Sequence, residues 1–350
     1  MKKNIYSIVA LSLLVFSCSN DDDAFTQPEP LGAYENGILI SAEGGPSSIS
    51  YISNDFSVTE NQVYFNVNNE NLGVYLQSVG FNGDKAYVVV DAGTITVVNR
   101  YTFEKVGAIT TGLIMPRYIT FSNGKGYVTN WGDGEDTTDD FIAVIDLNTN
   151  TVTSTIAIEE GPEQILSKGN NLYVSHKGGY NINNIISVID TSDNSIETIE
   201  VNDAPDAMAF DSNGNLVVLC SGDERYWLAD YVETAASITR IKTSTASVIS
   251  TIEFPDGSHP ALMAHDDDEV YYILNSQVYE LDDNDTVLPS GSILDLTVGY
   301  AYGLSVNDDK LYVTDASFTA QSELVVYDLS SNTLTNTFSV GLGASKIYFN

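Results

Sequence analysis

The side chains of this sequence that could do chemistry are of the kind that recognise a partner. Arg117, Tyr118, Asn130, Trp131, Glu163, His176, Tyr180, Arg225, Tyr226, Trp227, His259 and Tyr302 offer aromatic rings, fixed cations and hydrogen-bonding tips. Such groups dominate binding surfaces. The spacings that bond-breaking chemistry uses are missing: there is no GxSxG, CxxC, HExxH or P-loop pattern. Glu163 and Asp206 are two acids at matching positions of the pattern described below, thin material for a metal-assisted active site. His176 and His259 have no partner at ligand spacing and read as hydrogen-bonding rim histidines. The run "DGEDTTDD" (133–140) lacks the spacing and terminal Glu of a calcium loop and reads as solvated chain. "HDDDE" (265–269) reads as an exposed turn. The expectation is a binding protein, not an enzyme, with no catalytic residue, metal or cofactor.

The elements that must position these residues repeat. "GKGYVTN", "NNLYVSH", "GNLVVLC", "DEVYYIL" and "DDKLYVTD" align with one another, as do "FIAVIDLNTNTV", "IISVIDTSDNSI", "ASITRIKTSTASV" and "ELVVYDLSSNTL". Each unit reads as four short strands separated by Gly/Asn/Asp turns. First strands fall near Leu76, Tyr118, Gln164, Ala207, Ala261 and Tyr302, spaced 41 to 54 residues apart. Four strands at a period of ~40–45 residues specify propeller blades. Six units are complete. The N-terminal part supplies "GILISA", "SISYIS" and "VYFNV", and the C-terminus one orphan strand, "SKIYFN". Joining them makes a seventh blade and removes an open strand edge, with Ile347–Phe349 pairing Ile38–Ile40. The expected fold is an all-β, seven-bladed β-propeller over 37–350. Asp146, Asp190 and Asp328 recur before tight turns and read as turn-bonding side chains rather than catalytic acids.

Strand direction alternates, so loops sort by face. Turns such as 122–124, 148–150, 192–194 and 330–332 are minimal and share one face. Loops 130–140, 176–184, 220–235 and 315–322 are long and share the other, with the blade-to-blade links. Long loops gathered on one side point to function there. That face collects both tryptophans and every candidate binding residue named above. Of the three histidines, His265 alone falls on the short-turn face. Asn130 and Trp131 are expected to touch ligand, and the acidic run after them mostly not.

Composition bounds the partners. With 14 Lys+Arg against 48 Asp+Glu the net charge is −34, which repels polyanions, so no nucleic-acid partner is expected. The N-terminus, "MKKNIYSIVALSLLVFSCSNDDD", has a basic start and a short apolar run, a secretory signal over 1–17 rather than a membrane span. "LVFSC" resembles a bacterial lipobox, which implies lipidation of Cys18 as the only membrane anchor. "SNDDD" resembles the export signal of Bacteroidetes lipoproteins, which implies display on the outer face of the outer membrane. Residues 18–36 then read as a tether. Once Cys18 is lipidated, Cys220 is left without a disulfide partner.

The "YVTN" strand followed by "VIDLNTNTV" resembles the YVTN/YncE-like propeller repeat, most closely in blades three, four and seven and least in blade six, where "LNSQVYELDD" shortens the loop. With the lipoprotein N-terminus, the chain is similar to the surface lipoproteins that include the BtuG cobalamin-binding group. That resemblance implies capture of a corrinoid on the loop-rich face and a TonB-dependent outer-membrane transporter as partner. Two alternatives stay open: an adhesion or scaffold propeller binding protein or glycan, and a lactonase- or quinoprotein-like enzyme.

Overall fold

A computed structural model describes residues 30–350; the signal segment and Cys18 lie outside the described residues. The described residues form seven antiparallel sheets of four strands each. We number them as blades. Blade two runs from Leu76 to Ile109, three from Pro116 to Ala157, four from Pro162 to Glu200, five from Pro205 to Glu253, six from Leu262 to Asp295 and seven from Ala301 to Val340. Blade one is built from both ends, in the order Ala344–Phe349, Gly37–Ala42, Ser48–Ser53, Thr59–Glu60. Its closing register is the expected one: Ile38 opposes Phe349, Leu39 opposes Tyr348 and Ile40 opposes Ile347.

One expectation fails here. "VYFNV" is not the outer strand of blade one. Val63–Asn68 is a short helix, and the outer strand is the two-residue Thr59–Glu60. The helix buries the adjacent Val63 and Tyr64 together and leaves Phe65 and Val67 exposed. A strand, whose side chains alternate, would have put Val63, Phe65 and Val67 on one side.

Burial follows from how blades stack. Middle strands such as Lys85–Val90 and Phe141–Asp146 are buried on both faces, while outer strands such as Thr151–Ala157 are mostly exposed. The core is seven apolar clusters, each shared by two successive blades. The last two join blade seven to one (Tyr312, Leu324 with Ile38, Ile347) and blade one to two (Leu39, Tyr51 with Leu76, Val88), so the stack closes into a ring. Tyrosines of the "LYV" strands, Tyr87, Tyr127, Tyr173 and Tyr312, fill these wedges and are almost wholly buried. Tyr34 also packs, edge-on to Tyr51 and Phe103, so the chain is fastened to the ring before its first strand. The recurrent Asp residues bond their turns: Asp146 accepts from the Asn148 N–H, Asp190 from Ser192 and Asp328 from Ser331, each at 2.8 Å.

Candidate functional site

First strands of neighbouring blades contact one another, so they line the axis. Most begin with a bulge, a register shift between Leu76 and Ser78, Pro116 and Ile119, Pro162 and Ile165, Pro205 and Met208, and Ala301 and Gly303. A bulge re-aims the side chains within it. The re-aimed residues are Gln77, Arg117, Tyr118, Glu163, Gln164, Asp206 and Tyr302. The bulge is held from the neighbouring strand. Thr129 Oγ1 accepts the Tyr118 N–H at 2.9 Å and donates to the Glu163 carbonyl of the next blade at 2.8 Å. Ser175 repeats this with the Gln164 N–H at 3.1 Å and the Asp206 carbonyl at 3.0 Å. Blade six pairs Leu262–Asp266 without a shift and sends no charged group to the axis from that slot.

At the long-loop end the re-aimed groups meet as ion pairs. Arg117 donates twice to Glu163, Nε to Oε2 at 3.0 Å and Nη2 to Oε1 at 2.9 Å. Lys177 Nζ lies 2.7 Å from Asp206 Oδ2. Lys346 Nζ stands 3.8 Å from Glu43 Oε1 and 5.4 Å from the centre of the Tyr118 ring. Tyr302 donates to Glu43 at 3.2 Å. Burial works against these charges and the pairing restores them: Glu163 holds Arg117 above its ordinary range, and Asp206 does so for Lys177. Burial raises the Asp206 carboxyl, but Lys177, with Lys346 and Arg117, outweighs it and leaves the group below its usual range. Lys346 is the least committed cation: burial pulls it down and Glu43 only partly compensates. Burial pushes Asp91 up despite Arg117 nearby, and its Oδ1 makes no hydrogen bond. Burial, then Glu43, raises Tyr302 to about 12.

Aromatic groups stand around this mouth. Trp131 has the Arg117 guanidinium 4.0 Å from its ring centre, donates Nε1 to the Pro162 carbonyl at 3.1 Å, and meets Tyr180 edge-on at 5.9 Å. Tyr300 stacks on Tyr302 at 5.5 Å, with Phe318 edge-on to Tyr302 at 5.6 Å. Tyr226 and Trp227 form an exposed edge-to-face pair at 5.3 Å on the loop of blade five. Arg225 is bound to its neighbour Asp223 through both Nε and Nη2. His259 Nδ1 is 2.7 Å from the Ser221 carbonyl, and Nε2 3.3 Å from Glu233.

Seven four-stranded blades close into a ring: the fold is a seven-bladed β-propeller. No family model and no curated protein matches the chain. Solved structures do. A protein of unknown function from Desulfotomaculum acetoxidans aligns with TM-score 0.67 at 13% identity, over 90% of this chain and 99% of its own. The dihydro-haem d1 dehydrogenase NirN aligns with TM-score 0.57 at 13% identity, over 92% and 79%. Kuenenia stuttgartiensis hydrazine synthase aligns with TM-score 0.54 at 16% identity, over 79% and 95%. At these identities the likeness concerns the propeller and carries no activity with it.

Two residues leave the ligand-facing set. Asn130 is fully buried; its amide donates to the Val128 carbonyl and accepts the Ile114 N–H, both at 2.9 Å, so it anchors the blade link instead of facing the mouth. His176 is likewise fully buried between the Glu160 carbonyl (3.0 Å) and Ser187 Oγ (2.8 Å). Burial lowers its pKa to about 4. Both end a second strand, and the strand pairing draws them inward. Arg117, Tyr118, Glu163 and Tyr302 are brought together at the mouth with Trp131 and Tyr180 beside them, while Arg225, Tyr226 and Trp227 belong to the separate loop of blade five, and His259, in the link to blade six, bonds that loop. Lys177, Lys346, Glu43 and Asp91 also stand near the mouth, unmarked in the sequence by residue type or motif. Their signal is positional: Lys177 directly follows a "YVSH" strand, and Lys346 lies two residues into the orphan strand, directly after that strand's own register shift. Among the described residues no group of three or more His, Cys, Asp or Glu is placed to hold a metal ion.

Proposed function

We propose that the protein is a non-catalytic, lipid-anchored cell-surface binding protein. It captures a small nutrient ligand on the long-loop face and passes it to a TonB-dependent outer-membrane transporter. The ligand we propose is a corrinoid, which rests on the resemblance of the repeat and of the N-terminus to the YncE-like surface lipoproteins. The observation that carries a binding role is the mouth itself. In a chain with 14 Lys and Arg against 48 acids, Arg117, Lys177 and Lys346 gather at one end of the axis, each paired with a carboxylate, among tyrosines and Trp131. Paired charges next to fixed rings suit a large polar ligand with apolar faces. Glu163 and Asp206, the acids an enzyme reading would use, are both held by cations. Calorimetric titration with cobalamin tests the reading: saturable heat at micromolar protein supports it, and no heat removes the corrinoid.

A second reading, docking of a protein or glycan, is favoured by the loop of blade five, where Tyr226, Trp227, Leu228 and Val232 are all exposed. A Trp131→Ala, Trp227→Ala double variant that still binds its small ligand normally would support docking and displace the proposed site.

A further inference from the structure

The closure of the ring fixes where Lys346 stands. It lies on the C-terminal strand Ala344–Phe349, directly after the register shift that opposes Ala344 to Ala42. Its N–H donates to Ser41 Oγ at 3.1 Å, and Ser41 Oγ donates to its carbonyl at 3.4 Å, so the backbone is pinned from the neighbouring strand. The side chain reaches from blade one to blade three, where Nζ stands 5.4 Å from the centre of the Tyr118 ring. Solvent still meets it, with 27% of the side chain exposed.

Of the three cations at the mouth, Lys346 is the one with no hydrogen-bond partner among the described residues. Arg117 donates Nε and Nη2 to Glu163, and Lys177 donates to Asp206. Glu43 is the carboxylate beside Lys346, but at 3.8 Å it is beyond hydrogen-bond reach, and its Oε2 already accepts Tyr302. An ammonium has three N–H donors to satisfy, and burial disfavours the charge of this one. The acids beside it are better served: Glu163 accepts two bonds, Glu43 one and Asp206 one, while the unbonded Oδ1 of Asp91 is enclosed by protein. The unmet need is therefore for an acceptor at Lys346, and an ionised oxygen answers an ammonium most strongly. The acids elsewhere on the chain oppose an anion only at a distance. At about 0.15 M salt the screening length is about 8 Å, so contact with Lys346 decides.

We propose that Lys346 anchors an anionic oxygen of the ligand, carried by a carboxylate or a phosphate, with the rings of the mouth against the group that bears it. This rests on the reading of the mouth as a small-ligand site, and it names the ligand's chemistry without requiring a corrinoid. The full chain is titrated calorimetrically at about 0.15 M salt with benzoate, phenyl phosphate and benzamide, which share a ring and differ in head group. We expect saturable heat with an anion, at least about tenfold tighter than with the neutral amide, the factor a hydrogen bond to a charged group supplies. The tighter of the two anions assigns carboxylate or phosphate. Lys346→Met keeps the apolar stem and removes the ammonium; it weakens anion binding about tenfold or more and leaves benzamide unchanged. Lys346→Arg recovers most of that loss. The comparison of the three probes on the unaltered protein stands without any variant. No saturable heat with either anion, equal binding of benzamide, or anion affinity unchanged in Lys346→Met would overturn the anchor. Cobalamin titrated into the unaltered protein separates the two readings: anion binding without cobalamin binding supports the anchor and removes the corrinoid, whereas cobalamin binding without anion binding keeps the corrinoid and overturns the anchor.

Discussion

At the residue scale, the four letters of "YVTN" have separable physical jobs. Tyr127 fills the wedge between blades, Val128 is core, Thr129 clamps the bulge and Asn130 anchors the blade link. The sequence displayed the motif but not this division of labour, because a hydroxyl that bonds two backbone groups of different blades leaves no mark in local periodicity. Thr129→Val keeps the shape and removes the hydroxyl, leaving a buried N–H and a carbonyl short of a partner. It should destabilise the protein by about 1–3 kcal/mol in urea unfolding, and Thr129→Ser by clearly less. Equal losses in both would mean that the methyl, not the hydroxyl, matters. His176 makes the same point. Its position at a strand end suggested the rim, yet both ring nitrogens are taken by protein groups. With a folded pKa of about 4 against an ordinary 6.5, the folded state binds fewer protons than the unfolded one between those values. Its stabilising share is therefore complete above about pH 6.5 and lost as pH falls towards 4, on the order of 3 kcal/mol at most. An NMR titration should find the His176 imidazole neutral down to about pH 5; protonation near 6.5 would contradict its burial.

At the element scale, strand number, spacing and ring closure could be read because turn residues punctuate every hairpin and because an orphan strand needs a partner. The helix at Val63–Asn68 could not: its β-branched and aromatic residues favour a strand, and the packing of Val63 and Tyr64 overrides that preference. The bulges leave no mark in the sequence either, since each displaces only a residue or two. They nonetheless build the mouth, and the Arg117–Glu163 pair they create ties blade three to blade four. Arg117→Met should cost about 3 kcal/mol, because Glu163 would keep its charge in a buried position with no counterion. Adding Glu163→Met should recover most of that loss. Chemical denaturation of the two variants decides it: a double variant no more stable than Arg117→Met would show that the pair's worth lies in packing.

At the scale of the whole molecule, closure and charge oppose each other. The ring has no loose end: Tyr348 accepts the Val79 N–H at 2.9 Å, and Asn350 bonds the Arg100 carbonyl at 2.9 Å, so the last residues are fastened to blade two. Against this works a net charge of −34, whose self-repulsion favours expansion. The Arg117–Glu163 pair at the mouth is shielded by burial and responds weakly to salt, whereas the exposed acids of the turns do not enjoy that shelter. Raising salt from about 0.01 M to about 0.1 M shortens the screening length from about 30 Å to about 10 Å. The melting temperature should therefore rise over that range. A melting temperature that falls with salt would mean that attractive ion pairs outweigh the general repulsion.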